Sequence, residues 1–152
     1  QTKPITRQVF GPLPSCTFGS ATPLAQATNY QDLWWAAPAG AESGWGVNFT
    51  QQGDTIFATW FIYDIDGSPL WLSATANKSS AGVFTGTLYR TTGPAFNALP
   101  FSPSQVVATP VGTLTLSFAS GNSATFAYVV NGVPQTKSIT RQVFRAPGTL
   151  CQ

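Results

Sequence analysis

The chain has 152 residues, of which 43% are hydrophobic and only 8% charged, where an average soluble domain carries roughly a quarter of charged residues. That length supports one domain with a real core, and a surface so poor in charge has to be wetted by Ser, Thr, Asn and Gln. The net charge is +2 and four of the seven cations (Lys3, Arg7, Lys137, Arg141) fall in two short segments, which leaves no basic patch for a phosphate backbone, and no apolar run reaches the ~20 residues of a membrane span.

The chain opens QTKPITRQVF, and residues 135–144 read QTKSITRQVF, nine identities in ten with Pro4 set against Ser138. Residues 11–28, GPLPSCTFGSATPLAQAT, combine Pro, Gly, Ser and Thr without periodicity and read as a linker. The expected organisation is an N-terminal strand and linker over 1–28, a barrel-like domain over 29–144 and a tail over 145–152.

Seven strand candidates follow Asn29: GWGVNFTQQ, TIFATWFIY, PLWLSATA, VFTGTLYR, VGTLTLSF, SATFAYVV and QTKSITRQVF. Short turns separate most of them, and Asp66-Gly67 and Asn131-Gly132 are strong hairpin signals. Thr113, Thr115 and Ser117 alternate with Leu114, Leu116 and Phe118, which gives that strand one wet and one core face. The strand over 55–63 is apolar on both faces and marks a central strand or a place where a neighbour packs. This pattern predicts an all-β fold, an antiparallel up-and-down meander of seven to eight strands closed into a barrel or barrel-like sandwich, with an N-terminal strand extension. Helix is expected to be negligible beyond a turn within 94–105.

Cys16 and Cys151 stand shortly after the two copies of the repeated segment, as VFGPLPSC and VFRAPGTLC. Matched cysteines at the two tails of a low-charge chain fit a disulfide and an oxidising compartment, hence a secreted, extracellular or cell-surface protein. The bridge can close within one chain or run from Cys16 of one chain to Cys151 of the next. The start at Gln1 and the absence of Met point to removal of a signal peptide or upstream region.

Catalysis has little to work with. There is no His, which removes the usual general base and the Ser-His or Cys-His nucleophile pairs. The acids are Asp32, Glu42, Asp54, Asp64 and Asp66, and a two-carboxylate glycosidase is conceivable from Glu42 with Asp64 or Asp66. Asp54, Asp64 and Asp66 sit in predicted turns, where Asp bonds to local backbone, and DIDG lacks the later Glu of a calcium loop. The expectation is a non-catalytic protein without cofactor or metal. Trp34, Trp35, Trp45 and Trp71 with Glu42 form the candidate ligand site, because aromatic faces stack on sugars and enclose apolar ligands. Trp34-Trp35 lies in a loop-like region, and Trp60 reads as core.

ESGWGVNFTQQGD followed by IFATWFIYDIDGSPLWL resembles a repeat module found in tandem in secreted bacterial proteins of unassigned function, with the likeness running over 29–144. A Gly-Trp pair on the first strand, a meander and an Arg on the last strand are also similar to the lipocalin and avidin barrels. That resemblance implies that Arg141 packs over Trp45.

Three accounts of the duplicated segment follow. Residues 1 to about 18 can be the last strand and tail of a preceding module. They can be a strand offered to a neighbour's sheet edge, or the two copies can lie side by side. Pro4 lacks the amide donor of a central ladder and favours an edge for the N-terminal copy, or a place where that position faces solvent, while Ser138 lets the C-terminal copy sit inside the sheet. The assembly strand is therefore Gln1, Thr2, Lys3, Pro4, Ile5, Thr6, Arg7, Gln8, Val9 and Phe10. The function expected is an extracellular structural module, of filament, surface-layer or adhesin type, that stacks or polymerises by strand addition. Its partner is itself, as homopolymer or tandem neighbour, with a glycan or small apolar ligand in the barrel mouth as the alternative, and neither nucleic acid nor a membrane span.

Overall fold

In the computed structural model, which describes residues 2–152, the alternation of Leu114 and Leu116 with Thr113 and Thr115 becomes the inner and outer face of a barrel strand. The elements in chain order are β1 (Cys16–Thr17), a 3-10 turn (Leu24–Gln26), β2 (Asp32–Ala36), β3 (Gly46–Gln52), β4 (Thr55–Tyr63) and β5 (Pro69–Ser80). After these come β6 (Val83–Thr92), a second 3-10 turn (Pro103–Gln105), β7 (Val107–Ser120), β8 (Ser123–Val130), β9 (Val133–Arg141) and β10 (Leu150–Cys151).

Strands β2 to β9 form a closed antiparallel barrel in sequence order, and β1 pairs with β10 in a separate two-stranded sheet. Closure is made by β9 on β2, with Trp34 opposite Arg141, Trp35 opposite Thr140 and Ala36 opposite Ile139. The β8–β9 turn uses Asn131 and Gly132, both at positive φ, as a two-residue hairpin of this twist requires. In the β4–β5 turn the Asp66 carboxylate accepts from the Ser68 amide at 2.9 Å and the Asp64 carbonyl accepts from the Gly67 amide at 2.9 Å. Those aspartates form the turn that their spacing implies.

Eight strands enclose an interior that side chains just fill. Here Trp34, Val47, Ile56, Trp60, Phe84, Leu88, Leu116, Phe126 and Ile139 are all fully buried. Trp60 packs on Phe126 at 5.0 Å and on Tyr128 at 4.5 Å between ring centroids, distances typical of favourable aromatic pairs. The 3-10 turn of residues 24–26 plugs one end of the barrel, where the Gly121 amide donates to the Ala25 carbonyl at 2.9 Å. A Cβ at Gly121 would run into the Leu24 carbonyl oxygen, so only glycine admits the plug. Tyr30 then stacks flat on Phe118 at 3.7 Å beneath it. The opposite, open end carries Trp45, Ile62, Tyr128, Val130 and the loop over 37–45.

Several expectations change in detail. The eighth strand is β2, so Trp34 and Trp35 lie in a strand and not in a loop. The stretch 11–28 is no free linker, since it supplies β1 and the plug, and the tail supplies β10. Residues 2–10 pair with no strand, because every barrel strand already has a neighbour on both sides and closure leaves no edge to extend. Gln1 lies outside the described residues. Of strand 55–63, Ile56, Ala58 and Trp60 face the core, while Phe57 and Tyr63 are exposed outside.

Candidate functional site

The duplicated segment gives two environments for one sequence. Residues 2–10 run over the outer wall of the barrel in no regular structure and are exposed throughout. Gln52, buried at the end of β3, holds their C-terminal end: its Oε1 accepts from the amides of Phe10 (2.7 Å) and Gly11 (3.1 Å), and its Nε2 donates to the Gln8 carbonyl (3.0 Å). A primary amide is suited to this, since it accepts and donates at once, as a neighbouring strand would. Gly11 permits the approach, because a Cβ there would sit 2.6 Å from the Gln52 carbonyl oxygen. At the other end Lys3 Nζ stands 5.5 Å from the centre of the Phe101 ring. Between segment and wall runs a groove of about 970 Å³, lined by Arg7, Phe10, Leu13, Phe57, Thr75 and Asn77 among others. Ile5 is 92% exposed.

The C-terminal copy is β9, and its inward residues are fully used. Ile139 is 1% exposed within the core and Arg141 is 4% exposed. The Arg141 guanidinium donates to three backbone carbonyls, those of Gly121 (2.7 Å), Gln31 (3.2 Å) and Asn29 (3.1 Å), and lies 3.6 Å from the Asp32 carboxylate. Burial pulls its pKa below the ordinary arginine value, and Asp32 opposes that shift. Lys137 pairs with Glu42 at 2.7 Å and stands 5.9 Å from the Trp45 ring centre. Gln135 accepts from the Tyr128 hydroxyl at 2.6 Å. Burial and then the nearby Glu42 carboxylate push the Tyr128 pKa up to about 12.

The residue beneath Arg141 is Trp34, not Trp45: the guanidinium carbon is 5.3 Å from the Trp34 ring centre, and the Trp34 indole donates to the Tyr30 carbonyl at 3.0 Å. Trp45 sits at the open end, against Trp60 at 6.0 Å. The reason is the missed strand, since β2 and not β3 is the neighbour of β9.

The aromatic candidates do not share one wall. Trp34 is core at the plugged end, and Trp71 is 68% exposed on the outer face of β5 beside Phe61. Trp35, next to the inward Trp34, points the other way along β2. Only Trp45 and Glu42 meet, through Lys137 at the open end. Sequence reasoning did not find Gln52 or Gly11, whose roles depend on how a distant segment returns, and the one trace was a Gln-Gln pair closing an otherwise alternating strand.

Cys16 and Cys151 are bonded to each other within the chain and are opposite residues of the β1–β10 sheet. Among the described residues no helix is long and apolar enough to cross a membrane. Compared with known proteins, the chain matches no family model and no curated sequence.

Proposed function

We propose that the protein is a non-catalytic extracellular structural module that assembles with further copies of itself through its duplicated end segment. The observation that carries this reading is the contrast between the copies: residues 136–141 fill a barrel strand, while the same side chains at 2–7, Pro4 apart, are exposed and in no ladder. A segment with the side chains of a core strand and no ladder partner is a latent interface. The intrachain disulfide and the low charge support an oxidising location. The test is the molar mass in solution of the full chain and of a chain lacking residues 1–10, with and without reductant. Assemblies that need residues 1–10 support the reading, and an unchanged monomeric mass in all four samples overturns it.

A second reading places a sugar or small apolar ligand at the open end. It draws on the Trp45 indole N–H, buried without a partner, next to the Glu42–Lys137 pair. Loss of glycan binding on Trp45→Ala, with assembly unaffected, would favour it.

A further inference from the structure

Pro4 is the one difference between the copies, and the structure shows what the difference means. In β9 the Ser138 carbonyl accepts from the Ala37 amide at 2.8 Å, so the amide and carbonyl of Ser138 both point toward β2. But β2 ends at Ala36, and among the described residues the Ala37 carbonyl, which a continued ladder would set opposite, accepts no bond from the Ser138 N–H. A proline at this position removes a donor that the ladder does not use. The side chain of Ser138 is exposed on the outer face, so the exchange disturbs no packing. The inward side chains of this stretch, Lys137, Ile139 and Arg141, recur without change as Lys3, Ile5 and Arg7. Pro4 therefore does not confine the N-terminal copy to a sheet edge.

We infer that residues 2–10 are a transferable β9, able to occupy the place between β8 and β2 in the barrel of a second copy of this chain, in the register of residues 136–144. This rests on the assembly reading above and names its route: replacement within a closed barrel, since no barrel strand offers a free edge. The second copy is the partner for a geometric reason. Cys16 and Cys151 pair antiparallel, so the two tails reach the disulfide from opposite sides, and the contacts of residues 3–10 with Gln52, Phe57, Thr75 and Phe101 carry the segment over the outer faces of β3, β4 and β5 and away from its own chain's β8 and β2. Because both copies present the same inward side chains, the contacts of either state are alike. Concentration decides between them.

The experiment uses the full chain in two single variants, T6C and S123C. Ser123 is opposite Thr140 in the β8–β9 ladder, and Thr6 is the counterpart of Thr140. The pair lies beside the bond from the Arg141 amide to the Asn122 carbonyl, which makes it a close, non-hydrogen-bonded pair of the kind a disulfide can span. The two variants are mixed, unfolded and refolded together without reductant over a range of concentrations, then oxidised and mapped by peptide mass. The expected result is an interchain disulfide between the two introduced thiols whose yield rises with concentration, and which Ile5→Asp suppresses at least tenfold while the monomer stays folded. S123C with T140C in one chain is the positive control. Absence of that interchain disulfide overturns the inference. In a further variant that carries both T6C and S123C, a link formed only within that chain, independent of concentration, overturns the second copy as partner. If molar mass still depends on residues 1–10 while no link forms, assembly stands and strand replacement falls.

Discussion

Arg141 lies over the ring of Trp34, and the two residues are directly opposite one another across β9 and β2. The contact fixes barrel closure and the plugged end together, because the same guanidinium holds the carbonyls of Gly121, Gln31 and Asn29. Arg141→Ala takes this donor from the buried Gly121 and Asn29 carbonyls and the half-buried Gln31 carbonyl, and takes the Asp32 carboxylate's cation away. The expected loss of stability is about 3–5 kcal/mol, read from the urea midpoint at constant slope. Arg141→Lys restores little, since an ammonium cannot reproduce the planar fork. Arg7→Ala, the same change in the exposed copy, should stay within about 0.5 kcal/mol of the parent.

Gln52→Ala removes the three bonds that hold residues 8–11 to the barrel. At about 1 kcal/mol per bond, the segment should leave the wall while the barrel ladders persist. Tryptic cleavage after Arg7 should then become at least tenfold faster, with the near-ultraviolet spectrum of the core tryptophans retained. Equal cleavage rates in parent and variant would show that Gln52 does not hold the segment.

Cys16→Ser closes no covalent loop where the parent links residues 135 apart in sequence. The expected destabilisation is about 2–4 kcal/mol, measured by denaturation of the variant and of the reduced parent. Both should remain folded, because β2 to β9 close through their own ladders. Collapse of the barrel on reduction would mean that the plug, which hangs on this staple, is needed for closure.

Tyr128 gives a pH dependence of defined sign. Its folded pKa is raised from 10.0 to about 12, so as pH rises the unfolded chain gives up this proton first. The stabilising contribution is whole below pH 10 and is lost as pH climbs from 10 toward 12. Tyrosinate absorbance should show a late-titrating phenol that Tyr128→Phe abolishes, and the same variant should flatten the alkaline fall in stability. A Tyr128 phenol that titrates with the others would remove the basis for this expectation.

The strand alternation, the glycine turns and the cysteine positions made the barrel and its disulfide legible in the sequence. Leu114 and Leu116 face inward for the reason their spacing implies, and Asn131-Gly132 is the hairpin its type demands. Strand β2 was not legible: five residues with two adjacent tryptophans show no two-residue period, and their pairing is settled by closure with β9, more than a hundred residues away. The Arg-Trp pair was expected in kind and misplaced in number for the same reason. Pro4 marked the two copies as non-equivalent, and they are so in the fold: Ser138 lies inside β9, while residues 2–10 pair with no strand.

The staple at the tails also decides where tension goes. Cys16 and Cys151 have their α-carbons 4.1 Å apart, and the whole barrel lies in the loop between them. A pull on the two ends of the chain passes from Cys16 to Cys151 through the sulfur–sulfur bond and leaves β2 to β9 unloaded. Under such a load the domain is inextensible while oxidised, and it can yield the length of the barrel sequence as slack only after that bond is reduced.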